Sequence, residues 1–222
     1  ISEVKVWTNR PVRPQGVEMQ APNSSLKPDS LDWNLWLGPA SQKPYTPNLH
    51  PFNWRGWWEY GTGALGDVGC HLIDIPFRTL GLKYPKSAEC SVGSVFTKMW
   101  NPDYFPEGCP PSSLITLNFD STEKSKSPIE LTWTDGGIRP PHPDIIPADS
   151  DIGGENSLNG VLMNGDKGII STNINDSSPL MPKLYLYDGD TEFGPETEQM
   201  PEPEYGHQRK WVDACKACLL YT

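Results

Sequence analysis

The segment Gly61-Thr-Gly-Ala-Leu-Gly-Asp-Val-Gly-Cys-His-Leu-Ile-Asp-Ile-Pro-Phe-Arg-Thr-Leu80 admits two readings that lead to different folds. Its first six residues match the G-x-G-x-x-G letters of a dinucleotide-binding loop. A true loop of that kind follows a strand, opens the helix of a βαβ unit and has an acidic residue about 20 positions on. Here the preceding text is Trp54-Arg-Gly-Trp-Trp-Glu-Tyr60, and the region near that offset shows Lys86 with Glu89 only loosely placed. The glycines therefore read as a tight turn and close backbone approach at a helix start.

From Gly61 to Leu80 the pattern is helical, with Thr62 as cap and Gly81 as stop. At about 100° per residue, Leu65, Val68, Leu72, Ile75 and Leu80 share one broad face, while Asp67, His71, Asp74 and Arg78 line the other. Pro76 should bend or break this helix.

Upstream, Ile1–Trp7 alternates apolar and polar residues as a half-buried strand does. Asn9–Arg55 lacks periodicity and reads as a long loop with a short helical turn near Leu31–Trp36; Trp33, Trp36 and Tyr45 argue that it is ordered. Downstream, Ala88–Met99, Leu114–Asp120, Ile129–Thr134, Val161–Met163, Ile169–Thr172 and Lys183–Tyr187 read as strands. No helix intervenes, so an antiparallel meander is expected. Glu192–Glu204 is acidic and Pro-bearing, a candidate mobile segment, and His207–Leu220 reads as a helix. The order predicts an α+β domain with one large open, mostly antiparallel sheet carrying helices on one face. The other face then needs a neighbouring domain or a second subunit, which predicts a homo-oligomer through the open sheet.

Composition narrows the partners. The formal charge of −10 disfavours nucleic acid, and no apolar run approaches the roughly 20 residues that span a bilayer. The 24 Pro and 20 Gly predict abundant loop. Five Cys are too scattered for a disulfide framework, and Cys215-Lys-Ala-Cys218, without a second ligand pair, reads as two thiols on a terminal helix; no metal site is expected.

Asp67 and His71 lie four apart on a helix, so a carboxylate can orient or charge-stabilise an imidazole, a workable general acid/base. The same spacing also describes an ordinary solvated pair. Directly upstream, Phe52, Trp54, Trp57, Trp58 and Tyr60 can wall a sugar site or pack a core. Trp57 and Trp58, being adjacent, point to opposite sides in extended chain, so one of them should face a surface or pocket. Arg55 either binds a hydroxyl or carboxylate or stacks on an indole. Trp133-Thr-Asp-Gly-Gly-Ile-Arg139-Pro-Pro-His142 follows a strand and enters a Pro-stiffened loop, which either holds Arg139 or His142 over a site or is a plain connection. The functional reading requires the carboxylate and the imidazole to open into a hollow walled by indoles.

Asp32-Trp-Asn-Leu-Trp-Leu-Gly-Pro39, the block from Phe52 to Asp74 and Trp133-Thr-Asp-Gly-Gly137 together resemble the C-terminal domain of the Gfo/Idh/MocA oxidoreductases, most of all bacterial members. The resemblance runs from Asn9 to Cys215. It implies that residues 1–222 are a single substrate-binding and oligomerisation domain, similar in fold to the C-terminal domain of glyceraldehyde-3-phosphate dehydrogenase, with the nucleotide-binding domain that holds NAD or NADP absent. It also implies His71 as the proton-transfer residue, Asp67 as its partner and Asp74 as a further family-like position. Arg55, Trp57, Trp58, Tyr60 and Arg139 complete the expected contacts to a sugar or polyol. No Glu-Lys-Pro motif is present to supply the family's catalytic lysine, and the chain by itself is expected to be inactive. An NAD-dependent glycosidase, a non-catalytic carbohydrate-binding module and a domain kept for assembly are the competing readings.

Overall fold

A computed structural model describes residues 1–11, 14–172, 182–189, 192–193 and 206–216. Eight strands form one sheet: β1 (Glu3–Thr8), β2 (Ser87–Val92), β3 (Ser113–Phe119), β4 (Ile129–Thr134), β5 (Asn159–Asn164), β6 (Gly168–Thr172), β7 (Lys183–Leu186) and β8 (Glu192–Phe193), in the order β2-β3-β4-β1-β5-β6-β7-β8. The helices are α1 (Trp33–Leu37), α2 (Gly63–Leu72), α3 (Asp74–Thr79) and α4 (Gly206–Lys216). The α+β class with an open, mostly antiparallel sheet is as expected. A simple meander is not: β1 sits between β4 and β5 and pairs with β4 in parallel, Val6 opposite Trp133, while its pairing with β5 is antiparallel. Two short meanders are thus joined through the first strand.

The core follows from side-chain alternation. Val4 and Val6 of β1, Ile129, Leu131 and Trp133 of β4, and Val161 and Met163 of β5 point to one face, where Leu72, Leu80, Leu65, Val68 and Ile75 cover them. All five predicted helical apolar positions are therefore in this core, although the helix is two helices. Pro76 has no N–H for the Leu72 carbonyl, and its ring would crowd that oxygen, so α2 ends at Leu72 and α3 begins at Asp74.

The second face is not left bare along its whole width. Ile146 and Ile152, from the connection between β4 and β5, pack on Trp7, Leu162, Ile169 and Tyr185. The rest of that face carries Lys5, Thr132 and Thr116 across neighbouring strands, then Glu3, Glu130 and Asn118.

The expected strand Ala88–Met99 is shorter, because the ladder stops at Val92 and the Gly93 amide turns to the Ser112 carbonyl. Beyond it the Asp103 carboxylate accepts from the Thr97 amide and hydroxyl at 2.7 and 2.9 Å, closing a small turn that exposes Phe96, Met99 and Trp100. The ordered aromatic loop is confirmed: Asp32 caps α1 by accepting from the Leu35 amide, and Trp33, Leu37, Tyr45, Leu49 and Trp57 form a separate cluster. Most of the acidic segment Glu192–Glu204 and the last residues of the expected terminal helix lie outside the described residues. No described helix is long and apolar enough to cross a membrane.

Candidate functional site

Residues Asn53–Gly56 form a single tight turn that brings Arg55 beside α2. Its guanidinium lies over the Trp54 ring at 4.3 Å and the Phe52 ring at 5.0 Å, donates to the Phe52 carbonyl at 3.1 Å, and its Nε stands 3.3 Å from Asp67 Oδ1. The arginine thus stacks on an indole, one of its two expected roles, and pairs with a carboxylate of the chain itself. The stacking on two rings fixes the guanidinium plane, which holds the Asp67 carboxylate in one place.

His71 follows Asp67 by one turn and is exposed, as is Asp74, whose carboxylate is 3.9 Å from Arg78. Asp67, His71 and Asp74 share the side of α2 and α3 turned away from the core, as the periodicity requires.

The other predicted contacts are distributed differently. Trp57 is buried in the aromatic cluster, and Tyr60 packs against the same cluster with its hydroxyl enclosed and its ionisation pushed up, first by burial and then by Glu59. Trp58 points the other way and is half exposed, so the adjacent indoles do split as expected. Arg139 donates to the Asn156 carbonyl at 3.3 Å, and His142 places its ring nitrogens 3.1 and 3.0 Å from the carbonyl oxygens of Pro143 and Ser150. That loop continues into Ile146 on the face opposite α2. The imidazole therefore faces outward beside a partly covered carboxylate, and among the described residues no hollow walled by indoles encloses them: Trp33 and Trp57 are spent on their own cluster.

A cleft of about 750 Å³ does lie next to them, between the first turn of α2, the β2–β3 connection and the end of β4. It is lined by Trp58, Thr62–Gly66, Cys109 and Asp135 among others, and neither Asp67 nor His71 reaches it. Asp135 was hidden in the Trp-Thr-Asp-Gly-Gly run. Its buried carboxylate accepts from the Ser113 amide at 2.6 Å, the Ser113 hydroxyl at 2.7 Å and Trp133 Nε1 at 3.0 Å. Trp133 and Asp135 are two apart along an extended chain and so share a side, a signal available from spacing alone.

The cleft also explains Cys109. Burial, then the nearby Asp135 charge, pushes its thiol from an ordinary 9.0 up to about 11. Between those values the unfolded chain releases the proton while the folded chain keeps it, so unfolding is favoured as pH rises, at up to about 1.4 kcal/mol per pH unit. Stability in urea is expected to fall between pH 9 and 11, and Cys109→Ala is expected to flatten that slope. An unchanged slope in the variant would assign the alkaline loss to other groups.

The G-x-G-x-x-G run makes no nucleotide cradle. It follows a turn rather than a strand, and its glycines serve close packing within the chain. A methyl group on Gly61 would lie 2.6 Å from the Arg55 carbonyl oxygen, one on Gly63 (φ 62°) would lie 2.9 Å from Cys109 Cβ, and one on Gly66 would overlap the Thr62 hydroxyl. The described residues do not fit a dinucleotide there, nor do they hold any cluster of three or more metal-ligating side chains.

Residues 15–89, which hold Arg55, Asp67, His71 and Asp74, match a family model described as an oxidoreductase family, C-terminal alpha/beta domain. No curated protein matches the chain.

Proposed function

From a chain whose residues 15–89 match the C-terminal domain of the Gfo/Idh/MocA oxidoreductases, we propose that it is the substrate-facing domain of an NAD- or NADP-dependent enzyme acting on a sugar or polyol. The nicotinamide nucleotide, which accepts hydride in such reactions, is held by a separate nucleotide-binding domain, since the glycine run of this chain follows a turn and lacks the strand-to-helix setting of a dinucleotide loop. The described residues alone do not form the hollow walled by indoles that the sequence reading asked for, so the reading rests instead on the Arg55–Asp67 pair at 3.3 Å with His71 one turn further on, open to a second domain.

That arrangement suits proton transfer at a substrate hydroxyl. An exposed imidazole is free to approach the hydroxyl, and a carboxylate clamped by a stacked guanidinium supplies a fixed negative charge beside the imidazolium that forms when the proton arrives. The outward position also suits a site closed by a second body, because docking would exclude water from the same groups and strengthen their electrostatic interaction. Asp74 is placed to accept from a further hydroxyl along the same side.

In protein carrying both domains, incubation with a panel of sugars and polyols is expected to give reduced nicotinamide and ketose or lactone in equal amounts. Aglycone release without net reduced cofactor would give the site to a glycosidase, and sugar binding with no turnover would make it a binding module.

A further inference from the structure

We propose that the cleft beside the first turn of α2 binds an aromatic ring that carries no negative charge. At about 750 Å³ it falls within the roughly 300–1,000 Å³ of small-molecule sites. Its walls include Trp58, Tyr104, Phe105, Pro110, Pro111 and Ile115, flat apolar surfaces of the kind on which a ring stacks offset or edge to face. Trp58 is 53% and Tyr104 84% exposed, so two aromatic side chains at the cleft gain cover when a ring enters.

Charge argues against an anionic ligand. No Lys, Arg or His among the described residues lines the cleft, so an anion would lose its hydration with no described countercharge in return. The carboxylates that do line it are already engaged, Asp103 by the Thr97 amide and hydroxyl and Asp135 by Ser113 and Trp133. Their negative charge adds to the exclusion of an anion. Because neither Asp67 nor His71 lines the cleft, this site stands or falls separately from the proton-transfer reading.

Cys90 lies on β2, is exposed and lines the cleft, whereas Cys70 on α2 is exposed and does not line it. Alkylation of each by iodoacetamide, followed by peptide mass spectrometry, therefore reports occupancy with an internal control. With 2-naphthol as probe near neutral pH, Cys90 labelling is expected to slow several-fold while Cys70 labelling is unchanged. The charged analogue 2-naphthoate should protect far less. Trp58→Ala and Tyr104→Ala, both truncations of exposed side chains, should each weaken the protection with the circular dichroism spectrum retained. Equal response of the two cysteines, protection undiminished in both variants, or equal protection by 2-naphthoate would each overturn the proposal. Cys90 protection that grows with protein concentration in the absence of probe would also overturn it, since the cleft would then be filled by a second copy of the chain.

Discussion

Asp135→Ala is expected to cost about 3–5 kcal/mol of folding stability, read as a lower urea midpoint with the slope unchanged. The side chain is 3% exposed and takes three hydrogen bonds from two strands: the Ser113 amide and hydroxyl on β3 and the Trp133 indole on β4. Alanine leaves all three donors without their acceptor, and the Trp133 indole is fully enclosed. The cost is thus dominated by stranded donors rather than by the packing volume removed.

Two milder variants separate this account from a simple cavity effect. Asp135→Asn keeps the shape but has one oxygen for two donor sides, so its amide nitrogen must face a donor; about 1–3 kcal/mol is expected. Ser113→Ala removes one donor with its acceptor still engaged by the other two and is expected to cost about 1 kcal/mol. An asparagine variant as stable as the parent would mean that the carboxylate holds neither strand.

How much of this was legible beforehand differs by element. The Ile129–Thr134 strand and the apolar face Leu65, Val68, Leu72, Ile75 and Leu80 could be read because period-2 and period-3.6 burial leave direct marks on local sequence. The position of β1 could not. Its alternation announces a strand, but nothing local says that Val6 lies opposite both Trp133 and Val161, residues far away along the chain. The same holds for the cleft, which Trp58, Cys109 and Asp135 build from three distant segments. Gly93–Met99 reads as a continuation of the strand because Val95 and Phe96 look apolar, whereas the turn after β2 leaves large side chains in solvent. For the candidate site, the outward stripe Asp67, His71 and Asp74 is legible from helical spacing, whereas the pairing of Arg55 with Asp67 is not. The destinations of Trp57, Tyr60 and Arg139 depended on which cluster or loop each segment joined, and that is a property of the assembled core.

His71→Ala, made in protein that also carries the nucleotide-binding domain, is expected to lower turnover by about 10²–10⁴-fold, the usual worth of a positioned general acid or base. The fold should be untouched, because the side chain is exposed and α2 is held by Leu65, Val68 and Leu72 on its other side. Binding of the nicotinamide nucleotide should also persist, since the proposal assigns it to the other domain. Arg55→Ala tests the next link. It removes the stacked guanidinium that holds Asp67, so it should lower turnover less than His71→Ala while leaving the imidazole in place. Asp67→Asn should fall between them, keeping the side chain's shape but removing the charge that stabilises an imidazolium. If the three losses are unequal singly but the Arg55→Ala and Asp67→Asn double variant is no worse than Asp67→Asn alone, the arginine acts only through the carboxylate. Turnover unchanged in His71→Ala would move the proton transfer to another group and leave the outward stripe of α2 as a solvated surface.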